Sequence, residues 1–162
     1  MRENKLTGLL GFTLLGFCAL AIWALGTSGV AAQDDDPAAN NTLVIRITGA
    51  ESDRGRIGCA LFWKNKGFPW KYRRGLRRTW TEIAGDSAEC VFKRTGLGEY
   101  AVSVFHDEND NGEFNTTLGL PAEGWGVSNN VRARRVGRPP KYKDALFKYE
   151  GGPLELEIQL IY

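Results

Sequence analysis

Apolar side chains recur at every second position through most of this chain, and no long stretch carries them at helical spacing,. The pattern is cleanest near the C-terminus. Leu154, Leu156, Ile158 and Leu160 alternate there with Glu155, Glu157 and Gln159. Leu43, Ile45 and Ile47 repeat the pattern, as do Ile57, Cys59, Leu61 and Trp63. Tyr100, Val102 and Val104 share one face of another strand, with Ala101, Ser103 and Phe105 on the other. Thr79 to Ala84 and Ala88 to Arg94 read as a hairpin around Gly85-Asp86, and Ala145 to Tyr149 as a short strand,. Seven such strands with one-sided alternation predict an all-β, antiparallel two-sheet sandwich, each sheet burying one face and wetting the other. The size suits an immunoglobulin-like or transthyretin-like domain.

The N-terminus has the layout of an export signal. Arg2 and Lys5 precede an apolar run from Leu6 to Leu25, and Val30 and Ala32 occupy the small-residue positions read by a signal peptidase,. Residues 1–32 are therefore expected to be removed and the mature protein to be periplasmic or extracellular. If the run were retained, it is long enough to anchor the chain in a membrane. Residues 33–40 lack apolar content and are expected to form a disordered linker,. Residues 41–162 then form a single domain large enough for its own core.

Beyond the export segment two cysteines remain, Cys59 and Cys90. An even number in an exported protein predicts a disulfide, with two buried thiols as the alternative. Net charge is only +2, but its layout is uneven. Lys64, Lys66, Lys71, Arg73, Arg74, Arg77 and Arg78 form one basic run, and Arg132, Arg134, Arg135, Arg138, Lys141 and Lys143 another. Such runs are either solvated faces or attractors of acidic glycans, envelope components or acidic proteins. In an exported protein, nucleic acid is not an expected partner.

Between these runs lies an acidic stretch, Asp107-Glu108-Asn109-Asp110-Asn111-Gly112-Glu113-Phe114-Asn115. Asp107, Asn109 and Asn111, followed by Gly112, match the first half of a calcium-loop signature. Calcium takes six to eight oxygens, and alternate residues of a tight loop can supply them. Asn115 stands where such loops place a water-mediated ligand, and the Glu113 carbonyl can contribute a main-chain oxygen. Calcium is thus the one expected cofactor, with Asp110 or Glu123 supplying the charge absent at Leu118. The competing reading is a bare hairpin tip, because Asn111-Gly112 strongly favours a tight turn.

The acidic stretch continues to Asn130 without a clear strand, predicting one long, ordered loop. Trp125, flanked by Gly124 and Gly126, is its candidate ligand-binding residue together with Asn129 and Asn130, since glycines let a backbone approach a ligand closely. His106 is the only histidine. A hydrolase of an envelope polymer could use it as a base with Asp107 or Glu123 as carboxylate partner. Alternation places His106 at the rim of a core instead, and no spacing suggests a nucleophilic triad.

The succession Gly67-Phe68-Pro69, Leu97-Gly98-Glu99-Tyr100-Ala101-Val102, His106 to Gly112, Gly119-Leu120-Pro121-Ala122-Glu123-Gly124-Trp125-Gly126-Val127-Ser128-Asn129-Asn130, Pro139-Pro140 and Asp144-Ala145 resembles an exported bacterial family catalogued as a domain of unknown function. The resemblance spans nearly all of residues 41–162. It implies an exported β-sandwich of bacterial origin and carries no reaction with it. The basic run from Lys64 to Arg78 is richer in charge than the family pattern suggests, so a partner read from it would be particular to this protein. The expectation that follows is a non-catalytic module whose calcium-stabilised loop presents a binding surface.

Overall fold

A computed structural model describes residues 38–132 and 138–162. The export segment and most of the expected linker lie outside the described residues, as do Arg134 and Arg135 of the second basic run. Residues 38–40 form a turn that Asn41 closes by donating its N–H to the Ala38 carbonyl at 3.0 Å.

The described fold is all-β with only short 3-10 turns, in several sheets consistent with a β-sandwich. Among the described residues ten strands occur: β1 (Thr42–Thr48), β2 (Arg56–Phe62), β3 (Arg77–Thr81), β4 (Ser87–Lys93), β5 (Gly98–Asp107), β6 (Thr116–Thr117), β7 (Leu120–Pro121), β8 (Trp125–Val127), β9 (Phe147–Tyr149) and β10 (Pro153–Gln159). One sheet runs β10-β1-β4, the other β3-β2-β5-β8 with β9 paired to the start of β5, and β6-β7 form a small hairpin. The inward residues of β1, β2, β4, β5 and β10 share one core, including Ile45, Ile57, Phe92, Val102 and Ile158. A Cys59–Cys90 disulfide joins β2 of one sheet to β4 of the other across that core.

The strands number ten among the described residues rather than seven, because the segment read as one strandless loop carries β6, β7 and β8, each too short for alternation to show,. Three further expectations are corrected. The strands flanking Gly85-Asp86 do not form a hairpin. β3 pairs with β2 and β4 pairs with β1, leaving only an Ala84–Ser87 bridge at the corner. Alternation tells which side of a strand is apolar, and the chain here changes sheets without changing side. Nor are the sheets wholly antiparallel. β1 and β10 run parallel, with Leu43 opposite Leu154, Ile45 opposite Leu156 and Ile47 opposite Ile158. That register aligns both apolar faces, which either strand direction would satisfy.

The third correction concerns the outer face of the larger sheet, which is dry. Ala60 and Phe62 of β2 and Ala101 and Phe105 of β5 are buried there beneath a second apolar layer. The segment after β2, with its 3-10 turn at Tyr72–Arg74, folds back over the sheet and contributes Phe68, Trp70 and Tyr72. The rings meet edge to face: Phe62 with Phe68 at 5.5 Å, Tyr72 with Phe105 at 5.4 Å, and Trp80 with Phe105 at 5.5 Å between centroids. Contacts of this geometry add about 0.5–1.5 kcal/mol each beyond area burial. The abundant aromatics therefore largely build a second layer.

Candidate functional site

The exit of β5 organises the acidic loop. Asp107 is the last residue of the strand and is fully buried. Its Oδ1 accepts from the Asn111 N–H at 3.0 Å and its Oδ2 from the Gly112 N–H at 2.8 Å. Asn109 Oδ1 accepts from Asn111 N at 3.1 Å, and Asn111 Oδ1 from Glu113 N at 2.8 Å. Asn109 and Asn111 thus each tie down the backbone two residues on, and Asp107 the backbone four and five residues on. The positive φ values of Asp110 (56°) and Gly112 (76°) allow the tight reversals,.

The loop closes on Asn115. Its amide end lies 2.9 Å from the Asn111 amide nitrogen and 3.3 Å from that of Asn109. With its oxygen and nitrogen exchanged, the Asn115 amide donates to Glu113 O at 3.2 Å and to Glu123 Oε1 at 2.9 Å,. Four groups thus converge around the Asn115 amide: the side chains of Asn109, Asn111 and Glu123 and the carbonyl of Glu113. The β6-β7 hairpin brings Glu123 there, as Ala122 N donates to Asn115 O at 3.0 Å and Asn115 N to Glu123 Oε2 at 2.9 Å. Of the two carboxylates considered for the missing charge, Glu123 joins the cluster. Asp110 instead turns outward to Arg56, with Nε–Oδ1 at 2.7 Å.

Glu123 is buried, and loss of solvation pushes its carboxyl above the ordinary range,. The hydrogen bond from Asn115 opposes that shift, whereas the nearby Asp107 and Glu108 charges reinforce it. Among the described residues, no three His, Cys, Asp or Glu side chains gather to hold a metal on their own. The oxygen donors here are mostly amide and main-chain groups, with one carboxylate in the cluster and another at the strand exit. Hard oxygen donors of this kind suit calcium rather than zinc or copper.

The other candidates are either buried, as His106 and Trp125 are, or exposed with their amides tied to main chain, as Asn129 and Asn130 are. His106 has no exposed surface; its Nδ1 lies 2.6 Å from Tyr162 OH and its Nε2 2.7 Å from the Arg54 carbonyl. Trp125 is buried, edge-on to Trp70 at 4.9 Å. Gly124 and Gly126 serve the approach of the chain itself: a side chain at Gly124 would overlap the Tyr162 ring, and one at Gly126 would lie 2.6 Å from Ile158 Cγ2. The Asn129 amide donates to the Asp144 and Leu146 carbonyls at 3.1 and 2.9 Å. Asn130 bridges β10 through Glu157 O and Gln159 N. The Gly126-to-Asn130 block is a structural corner, secured by Ser128, whose hydroxyl donates to Ala145 O at 2.6 Å and accepts from Val102 N at 2.9 Å.

Sequence reasoning passed over Arg56. Strand pairing sets it opposite Asp107, where its Nε lies 3.7 Å from Asp107 Oδ2 and its guanidinium sits 4.1 Å over the Trp80 ring. No local spacing signals that juxtaposition, because it is made by the β2–β5 register.

The family described as "Uncharacterized protein conserved in bacteria (DUF2141)" matches residues 45–157, a span running from within β1 to within β10. The chain belongs to that family. No curated protein and no solved structure matches it.

Proposed function

We propose, from its membership of this uncharacterised bacterial family, that the protein is an exported, non-catalytic binding module whose Asp107–Glu123 segment is fixed by calcium. The observation that carries the reading is the convergence of Asn109, Asn111, Asn115, the Glu113 carbonyl and Glu123 on one point, with Asp107 bracing the loop from behind. A calcium ion there would draw oxygens rather than amide nitrogens inward and balance a carboxylate that burial makes costly to ionise. The β domain, of immunoglobulin-like or transthyretin-like size, acts as the rigid scaffold.

Export is supported by the charged, apolar and small-residue succession of residues 1–32,. The Cys59–Cys90 bond adds support, since disulfides persist outside reducing compartments,. Trp125 is buried, and the exposed Asn129 and Asn130 spend their amides on main-chain partners, so all three are left as supports of the loop rather than its binding face. The hydrolase alternative gains nothing from His106, whose ring is shut off from solvent.

Thermal melting in EDTA and then in calcium tests the reading. Binding to the folded state at a hundredfold excess over the dissociation constant adds about 2.7 kcal/mol. For a domain of this size that is a rise on the order of 10 °C. The rise should vanish in Asn115→Ala. An unchanged melt in the parent protein removes calcium from the proposal.

A further inference from the structure

The loop's Gly112 borders two adjoining cavities on the outer side of the larger sheet. One, of about 380 Å³, is lined by Arg56, Tyr72, Arg73, Arg78, Trp80 and Gly112. Its neighbour, about 390 Å³, shares Tyr72, Arg73 and Gly112 and adds Lys71, Arg74 and Glu113 with Trp70 and Phe114. Each volume falls in the range of ordinary ligand sites. The calcium-loop residue Phe114 stacks on Trp70 at 4.8 Å with the rings 11° apart, so loop and groove wall share a ring pair.

Two cations of the groove lie over aromatic rings. Arg56 lies 4.1 Å over Trp80 and Arg78 5.9 Å over Tyr72. Arg78 also donates to the Arg73 carbonyl at 3.3 Å. Guanidinium groups held over aromatic rings present planar forks that match carboxylates, and they lose less freedom on binding than mobile lysines. The acidic loop partly neutralises the groove: Arg73 sits 3.6 Å from Glu113, and Arg56 contacts Asp110 and Asp107. Arg56 Nε is buried in those contacts without an aligned hydrogen bond.

We propose that this groove binds an acidic glycan through its uronate carboxylates, and that calcium in the adjoining loop strengthens the binding. The inference rests on the calcium reading of the loop. A calcium ion in the loop cluster adds two positive charges that weaken the hold of the loop's carboxylates, Asp107 and Asp110, on Arg56. The guanidinium is then freer to take an external carboxylate. By linkage, the glycan must raise calcium affinity by the same factor. A chain of repeated anions fits better than a single ion, because cations line both cavities. The sheet beneath supplies a rigid floor.

Isothermal titration of the oxidised protein with a hexasaccharide of alternating glucuronate and N-acetylglucosamine tests this, in calcium and in EDTA. The expected result is binding in calcium that weakens about tenfold or more in EDTA, weakens with salt, and is lost in Arg73→Gln/Arg78→Gln. Both arginines are solvent-exposed, so the double variant should keep the parent's melting temperature and its calcium-induced rise. A neutral N-acetylglucosamine hexamer should not bind. If calcium raises the melt but the acidic hexasaccharide does not bind, the groove proposal falls and the loop reading stands. If the hexasaccharide binds equally with and without calcium and the melt ignores calcium, both the coupling and the loop reading fall. Binding of single-stranded DNA or phosphatidylglycerol vesicles in place of the hexasaccharide overturns the glycan assignment.

Discussion

The Nδ1 atom of His106 lies 2.6 Å from the hydroxyl of Tyr162, across 56 residues of chain. On the far side of the ring, Nε2 meets the Arg54 carbonyl at 2.7 Å. A carbonyl can only accept, so in the neutral ring Nε2 carries the proton and Nδ1 accepts from Tyr162. Tyr162 in turn accepts from the Glu51 N–H at 3.1 Å. Burial pushes its phenol pKa up, so the hydroxyl remains a donor at neutral pH,. The histidine is thus a buried pin between the β1–β2 turn, β5 and the segment after β10.

His106→Ala should therefore lower stability by about 3 kcal/mol, through a cavity and two stranded polar groups. Tyr162→Phe should cost about 1 kcal/mol. Denaturant unfolding of both singles and the double should show a coupling energy of one hydrogen bond. Additive costs would mean that the two side chains do not communicate.

Glu123→Gln separates the loop's two roles. The amide keeps an oxygen to accept from Asn115 N but has no charge to desolvate, so the variant should melt higher than the parent in EDTA at neutral pH. Its calcium affinity should fall about tenfold or more, because ligand charge sets affinity in such loops. Equal calcium affinity in the two proteins would place Glu123 outside the ligand set.

The same carboxyl has a pH signature. Its folded pKa is raised, so between the ordinary carboxylate range and that raised value the folded state holds more protons than the unfolded one. Stability in EDTA therefore declines as pH rises through that window, by an amount absent from Glu123→Gln. Calcium requires the ionised form, so its affinity rises through the same window. Melts of both proteins in EDTA and in calcium, stepped upward from about pH 4.5, would show the two slopes with opposite sign.

The Cys59–Cys90 bond closes a separation of 31 residues between facing sheets. Chain entropy assigns such a link about 3–4 kcal/mol. Reduction, or the paired Cys59→Ala/Cys90→Ala change, should lower the melting temperature on the order of 10 °C. A shift of only a degree or two would show that the core holds the sheets without it.

Gly126→Ala tests the close approach behind Trp125. The added methyl would meet Ile158 Cγ2 at 2.6 Å and the Gln159 carbonyl at 2.8 Å, where the main chain cannot easily yield. A cost of about 1–3 kcal/mol is expected from overpacking. The paired hydrogen bonds between Trp125 and Ile161, both 2.9 Å, should then lose amide-exchange protection first.

The sequence by itself determined the longer strands, the face of each that meets the shared core and the loop whose alternate oxygens turn inward, but not the short strands β6, β7 and β8. These are local matters: side chains alternate along a strand, and residues two apart in a tight loop are neighbours whatever the rest of the chain does. The tertiary structure decided which strands are partners, and with that the parallel β1–β10 pair, the sheet change after β3 and the Arg56–Asp107 juxtaposition. It also decided that Trp70 and Trp125 would meet inside a second layer, and that Glu123, eight residues beyond Asn115, would complete the loop's cluster. Such meetings arise when distant segments compete to cover the same apolar face. That competition is settled by packing over the whole domain rather than by the spacing of any one segment.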